Sequence, residues 1–541
     1  MPSLRHPARS FVALVLLVSV QLFAAPAKKP PRKASLAEQI KSIVSQPPLA
    51  RAHWGIDVVD LATGKSVYAL NQDELFLPAS NTKLFTTAAA LSAAKPDYRF
   101  HTTVETTGEI DSNGRLLGDL VIVGRGDPNI SGRVMPYVLK TERTPPHTQI
   151  LEELADKVAQ TGLKRVDGDL IGDDTFYSPE RYGAGWAQDD LQWIDGAPVS
   201  ALTFNDNVVF LNIQPAEHAG EKAVVTLEPQ TDYYELDNRI VTSIAGIARK
   251  IGMHRDIGSK KVVLWGTLPL GDSGIKEALA IEDPAEFTAQ LFHEMLERRG
   301  INVSGKSRAR HQDIAQFYDQ SSSQTPPPPG TDNALAAGQS ANPSPPANSV
   351  STAGHSTEAT VLADHISLAF IEDVRVINKT SQNLHAELAL RLVGKLKGTG
   401  GSFAASSAAV KQFLLQAGLK EEEFVFLDGS GLSRRDLVTP AAVVQLLTYA
   451  SHQPWAADYE GTLPVAGVDG SLSERFLNSP ASGLIHAKTG TLSHVNALSG
   501  YGQTLRGKRF VFSIFCNNHN VPSSKAVAAI DEIVKLLVAA F

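Results

Sequence analysis

The chain has 541 residues, a mass of 58.0 kDa and a formal net charge of -7 at pH 7. At roughly 100–200 residues per domain there is room for three or four domains, and with 43% hydrophobic and 20% charged residues most of the chain can bury a core. The acidic balance speaks against nucleic-acid binding, which wants a basic face, and the single cysteine, Cys516, excludes an internal disulfide and a multi-cysteine zinc site.

The first element in chain order is an export signal. Arg5 and Arg9 precede an apolar run over 11–23 (FVALVLLVSVQLF), which has the ~7–15 residue length of a signal core and falls short of the ~20 that a spanning helix needs. Ala24, Ala25 and Ala27 supply small residues for cleavage, so 1–25 reads as a signal peptide. An uncleaved anchor is the alternative, weakened by Ser19 and Gln21 inside the run. With no cysteine nearby, a lipoprotein is excluded. Loss of Arg5 and Arg9 takes the charge from -7 to -9. Weak or no membrane association is expected after cleavage, and 26–35 is a basic, proline-rich tether.

The spacing next predicts a helix over 36–45, a hairpin of strands 53–61 and 66–70 about Ala62-Thr63-Gly64-Lys65, and a helix over 80–94 with Ser80 as its N-cap. A hairpin follows at 108–128 through Asp111-Ser112-Asn113-Gly114. Helices are expected at 150–161, 284–299, 383–397, 404–417 and 440–451. Strands 497–503 and 509–517 turn at Gly507, and a helix over 523–540 ends the chain. Between 319 and 360 lies a Pro/Ser-rich stretch, including Pro326–Pro329, with Leu335 and Val350 as its only large apolar residues between 321 and 360. Such a stretch cannot offset its ordering entropy and reads as a disordered linker. No repeat of fixed period is present. The fold class is α+β, with helices on a largely antiparallel sheet built from both chain ends.

Three short motifs carry chemistry. In Ser80-Asn81-Thr82-Lys83, residues i and i+3 share a helix face, so the amine can reach the hydroxyl. A serine needs a base beside it, and a lysine whose pKa is lowered can serve. Ser273-Gly274-Ile275-Lys276 matches the same pattern and is assigned to a structural turn and helix cap. Ser381-Gln382-Asn383 sets a hydroxyl and a carboxamide two positions apart before a helical run. Ser340-Ala341-Asn342 repeats that pattern inside the linker and is noise. In Lys488-Thr489-Gly490-Thr491, Lys488 and Gly490 alternate with Thr489 on a strand, and the bare Gly490 lets a substrate backbone approach. Read singly, each motif is equally a cap, a polar loop or a solvated strand.

Together and in this order, the three resemble the SxxK, SxN and KTG motifs of the penicillin-recognising serine enzymes. The intervals are 381 − 80 = 301 and 488 − 381 = 107 residues. So long a first interval is similar to that of the class C low-molecular-mass penicillin-binding proteins, the D-alanyl-D-alanine carboxypeptidase/endopeptidase family. Flanks that resemble the family include Gly124-Arg125-Gly126-Asp127-Pro128, Gly185-Trp186, Asn205-Asp206-Asn207, Asp428-Gly429-Ser430-Gly431-Leu432-Ser433-Arg434 and His486-Ala487. The likeness runs from about residue 36 to the end, apart from the linker. It implies the penicillin-recognising fold in two parts, 36–95 and 361–541, with mostly β domains inserted over 96–318.

The resemblance also implies roles. Ser80 would be the nucleophile, Lys83 its base, Ser381 the proton relay to the leaving amine and Lys488 the group that polarises the relay. Asn383 would bind the substrate peptide and Thr489 its carboxylate, beside Gly490. The backbone N–H groups of Ser80 and Thr491 would form an oxyanion hole. Asp173 resembles a cleft-facing position of the inserted domain, and is otherwise a turn residue or salt-bridge partner. The implied substrate is peptidoglycan peptide ending in D-Ala-D-Ala, with β-lactams as inhibitors and a periplasmic location. The fifteen histidines show no His-x-x-x-His spacing, so no metal is proposed, and no cofactor. Ser430 reads as a structural hydrogen-bonder and Cys516 as a small buried hydrophobe. Two other readings remain: a β-lactamase or esterase with the same residues, and a non-catalytic wall-binding protein. The string Glu474-Arg475-Phe476-Leu477-Asn478 matches a β-lactamase motif, but it lies only 488 − 474 = 14 residues before Lys488, so it is a chance match.

Overall fold

The computed structural model of the chain describes residues 34–137, 143, 145–314, 359–398 and 400–540. The signal peptide and all but the last two residues of the tether and of the linker lie outside these residues. The two chain ends meet in one antiparallel sheet, in the order Ser66–Leu70, His53–Asp60, Arg509–Asn517, Val495–Gln503 and Ile485–Leu492. Alternation along the strands sorts side chains to two cores. Phe510, Phe512, Ile514 and Cys516 face the helices Leu36–Val44 and Ser523–Ala540. Val511 and Phe515 face the other side, where the helices Thr82–Ala94, Phe370–Lys379, Asn383–Leu396, Phe403–Gln416 and Pro440–Ala450 pack. Each fully buried Phe or Ile contributes roughly 1.5–3 kcal/mol, so both faces are firmly held. Burial pushes the Cys516 thiol up to about 12, as suits a small hydrophobe inside the sheet.

The predicted helices are present to within two residues at their ends. Leu36–Val44 starts on a capping box, in which the Ser35 hydroxyl accepts from the Glu38 backbone and Glu38 reaches back to Ser35. The helix predicted from Ser80 differs in its cap. A short 3-10 turn, Ala79–Asn81, comes first, and the α-helix runs from Thr82, with Asn81 rather than Ser80 as its N-cap. Unread in the sequence were the strand Thr360–Ile366 and the helix Phe370–Lys379.

The inserted region has its own core and several small sheets. Its main sheet runs Ser307–Arg310, Leu170–Asp173, Leu120–Val123, His101–Thr106 and Thr360–Ile366. The last strand corrects the domain boundary. Residues 361–366 were placed with the catalytic part, yet they pair with His101–Thr106 and close the inserted sheet. The predicted hairpin at 108–128 is divided between sheets. Glu109–Ile110 and Arg115–Leu117 pair with each other, and Leu120–Val123 joins the main sheet. The turn lies at Leu270–Gly271, and Ser273 and Gly274 after it lead into the strand Ile275–Ala280 and cap no helix, contrary to the expectation.

Candidate active site

The nucleophile turn is shaped by close approaches. Ala79 has φ 47°, a left-handed conformation that costs a non-glycine residue on the order of 1 kcal/mol or more. Gly431 packs on its carbonyl so tightly that a Cβ there would lie 1.9 Å from the Ala79 oxygen. Asn81 points into the sheet, where its amide donates to Ser499 Oγ at 2.7 Å and Ser499 donates to Ser513 Oγ at 2.9 Å. The turn is thus fastened from both sides, which orders the hydroxyl of Ser80 for one partner.

That partner is Lys83. Its Nζ donates to Ser80 Oγ at 2.9 Å, Asn383 Oδ1 at 2.6 Å and the Ser430 carbonyl at 2.6 Å. Lys83 is fully buried and no carboxylate touches it. Burial lowers its pKa to about 8, against the longer-range pull of Asp428, Glu387, Asp195 and Asp436. A neutral amine, able to take the serine proton, is therefore within reach near neutral pH.

The second and third motifs face the first. Lys488 Nζ donates to Ser381 Oγ and to the Thr489 carbonyl, both at 2.9 Å. Its pKa lies well below the usual lysine range, through burial and then through the charge of Lys83. Ser381 has φ 64°, a second left-handed residue at the site. Asn383 spans the gap, accepting from Lys83 and donating to the Asp195 carbonyl at 2.9 Å. Thr489 Oγ1 lies 2.7 Å from Ser471 Oγ, and Thr491 Oγ1 accepts from Asn496 at 3.2 Å. A cleft of about 400 Å³ is lined by Ser80, Ser381, Asn383, Thr489 and Thr491 together with Asp190, Asp195, Leu432 and Arg434.

Gly490 has a packing purpose as well. A Cβ there would lie 2.8 Å from the Pro78 carbonyl and 3.2 Å from Ala79 Cβ, so the glycine lets the strand close on the nucleophile turn. Asp173 is not among the residues that line the cleft. Its Oδ1 accepts from the backbone and hydroxyl of Thr175 and its Oδ2 pairs with Arg310 at 3.1 Å, which makes it a turn and ion-pair residue. Glu474 does not line the cleft either, and neighbouring Arg475 pairs with Asp531.

Sequence reasoning missed the charged lip of the cleft. Asp190 has its pKa raised by burial and by Asp189, with Arg434 opposing. The signal was available, because Gly185-Trp186 and Leu432-Ser433-Arg434 had been singled out, but no spacing rule joins them. The fold does. Trp186 Nε1 donates to Asp428 at 2.8 Å, and the same carboxylate accepts from Ser430 Oγ and the backbones of Gly431 and Ser433. Ser430 accordingly holds the loop, as its structural reading requires, and its carbonyl orients Lys83.

A serine beside a buried, carboxylate-free lysine, faced by a second serine–lysine pair at a sheet edge, defines a serine hydrolase of the penicillin-recognising fold. Comparison with known proteins agrees. The D-Ala-D-Ala carboxypeptidase 3 (S13) peptidase family matches residues 36–320 and 346–539, and the chain belongs to that family. It is 34% identical over 534 residues to the D-alanyl-D-alanine carboxypeptidase of Actinomadura sp. (strain R39), covering 96% of this chain and 88% of that protein. It is 24% identical over 454 residues to the D-alanyl-D-alanine carboxypeptidase DacB of Haemophilus influenzae, covering 83% and 82% of the two. Its fold is similar to the crystal structure of penicillin binding protein 4 (dacB) from Haemophilus influenzae, with a TM-score of 0.75 at 21% identity over 92% of this chain and 99% of that one. Among the described residues no helix is long and apolar enough to cross a membrane.

Proposed function

We propose that the protein is a periplasmic serine DD-peptidase that acts on peptidoglycan stem peptides ending in D-Ala-D-Ala. Lys83 takes the proton of Ser80 as Ser80 Oγ bonds to the carbonyl carbon between the two D-alanines. The backbone N–H groups of Ser80 and Thr491 stabilise the developing oxyanion, a contribution of about 100–1,000-fold in rate for such donors. The C–N bond then breaks, and the leaving amine receives its proton through Ser381, whose hydroxyl Lys488 polarises. Thr489 holds the terminal carboxylate and Asn383 the peptide. Water attacks the acyl-enzyme, its proton returns along the same route, and Ser80 is restored. Cleavage of a cross-bridge is the same chemistry with a longer leaving group. β-Lactams acylate Ser80 because their ring amide stands in for the substrate carbonyl.

The observation that carries this reading is the 2.9 Å contact between Ser80 Oγ and a lysine buried without a carboxylate in touch. The experiment is labelling with a fluorescent penicillin, followed by mass spectrometry of monomeric and cross-linked muropeptides incubated with the enzyme. The wild type is expected to label and to release D-alanine, and Ser80→Ala to do neither. Unchanged labelling of Ser80→Ala would refute the assignment, and fast turnover of nitrocefin would identify a β-lactamase instead.

A further inference from the structure

Behind the second motif lies a buried charge cluster that takes no part in the chemistry above. His385 stands in the first turn of the helix Asn383–Leu396 and is fully buried. Its Nδ1 lies 2.5 Å from Asp373 Oδ1, on the preceding helix, and its Nε2 lies 3.1 Å from Asp206 Oδ1, in the inserted region. A neutral imidazole has one N–H to give. Between two carboxylates it would leave the other nitrogen lone pair against an oxygen. Asp206 is ionised in any case, since Arg133 and Arg143 pair with its other oxygen. Two carboxylates therefore call for two N–H groups.

The cluster reaches the site through one residue. Gln382 donates from Nε2 to Asp206 Oδ2 at 3.0 Å and accepts at Oε1 from the His385 backbone at 3.4 Å. Gln382 sits between Ser381 and Asn383, and Ser381 holds φ 64°, which the chain would not keep without restraint. We propose that His385 is a positioning residue for Ser381 and Asn383: as an imidazolium bridging Asp373 and Asp206, it locks the second motif to the inserted region. The inference rests on the assignment of Ser381 as the proton relay.

The charged groups facing His385 are Asp373 and Asp206 in contact, Asp127 beyond them, and Arg133 and Arg143 behind Asp206. Burial by itself lowers the imidazole pKa, but the charges of Asp373 and Asp206 and the hydrogen bonds to them outweigh it and hold it above the ordinary value. A group raised in this way keeps its proton, and its hold on the motif, at low pH and releases it as pH rises.

The test uses the full chain. With nitrogen-15 histidine, one ring assigned by its absence in His385→Gln is expected to show both nitrogens protonated at pH 8, where a free imidazole is neutral. His385→Gln should lower kcat for D-alanine release by about 10–100-fold with KM little changed, and slow penicillin acylation by the same factor. Asp373→Asn keeps the shape and removes one charge. Its kcat relative to wild type should fall steadily from pH 6 to pH 9, whereas a merely structural contact gives a ratio independent of pH. A singly protonated ring at pH 8, or a flat ratio, overturns the proposal. If the wild type releases no D-alanine, the peptidase assignment fails, and the ring resonances still decide the state of His385.

Discussion

Two buried basic groups, 385 − 83 = 302 residues apart in sequence, stand behind the same pair of motifs and behave in opposite ways. Lys83 is surrounded by a hydroxyl, an amide oxygen and a carbonyl, and burial drags its pKa down to about 8. His385 is surrounded by Asp373 and Asp206, and its pKa is held up. Both are wholly hidden from water, so burial alone does not distinguish them. Neutral partners leave desolvation in command and make the proton mobile, as a catalytic base requires. Carboxylate partners override desolvation and fix the charge, as a structural clamp requires.

The sharpest way to break the contrast is to make the mobile charge permanent. Lys83→Arg keeps a cation of similar length but cannot release its proton. Acylation by penicillin is expected to fall by about a thousand-fold or more, near the upper range for loss of a general base. Stopped-flow or gel labelling over time reads the rate. Retention of more than about a tenth of the wild-type rate would mean that Ser80 has another base.

A smaller effect separates geometry from charge. Gly490→Ala places a Cβ 2.8 Å from the Pro78 carbonyl, so the nucleophile turn or the strand must shift by a few tenths of an ångström, with no lysine altered. We expect a fall of roughly 10-fold in kcat and a loss of about 1–3 kcal/mol in stability from the overpacking. The pH dependence of kcat should stay that of the wild type. A displaced pH limb would show that the turn also tunes Lys83.

These contrasts explain what the sequence made legible. The catalytic sheet was readable because its strands alternate and its turns are local, and the three motifs were readable because each packs its chemistry within four residues. Asp190 and Arg434 were not, since they come from two loops that tertiary contacts bring to one lip, among them Trp186 to Asp428, Ser433 to the Ala184 carbonyl and Arg434 to the Gly185 carbonyl. His385 looked like an ordinary helix residue, because Asp206 lies 385 − 206 = 179 residues before it and no periodicity spans that distance. Asp173 shows the converse. Its neighbours in sequence resembled a site, while Arg310, on the next strand of the inserted sheet, claims its carboxylate. The same holds for residues 361–366, whose strand partner lies at the far end of the insertion.

The smallest expected effect is also the most direct measure of the contrast, because it concerns protons rather than turnover. In the folded protein Lys83 titrates at about 8 and in the unfolded chain near the ordinary lysine value of 10.5. Between these values the unfolded chain binds the extra proton, so this lysine makes the fold more stable as pH rises through that window, by at most about 3 kcal/mol. His385 has the reverse sign. The folded form binds the extra proton above pH 6.5, so its contribution is complete below that and is lost as pH rises through the folded value. Thermal melts of Lys83→Met and His385→Gln against wild type between pH 7 and pH 10 should therefore diverge. The wild type gains on Lys83→Met by a few degrees as pH rises, and loses part of its lead over His385→Gln. Each variant is compared only with its parent, so buried acids remote from both groups, such as Asp57 and Asp531, cancel to first order. If both gaps moved the same way, one of the two groups would hold or release its proton against what its partners dictate.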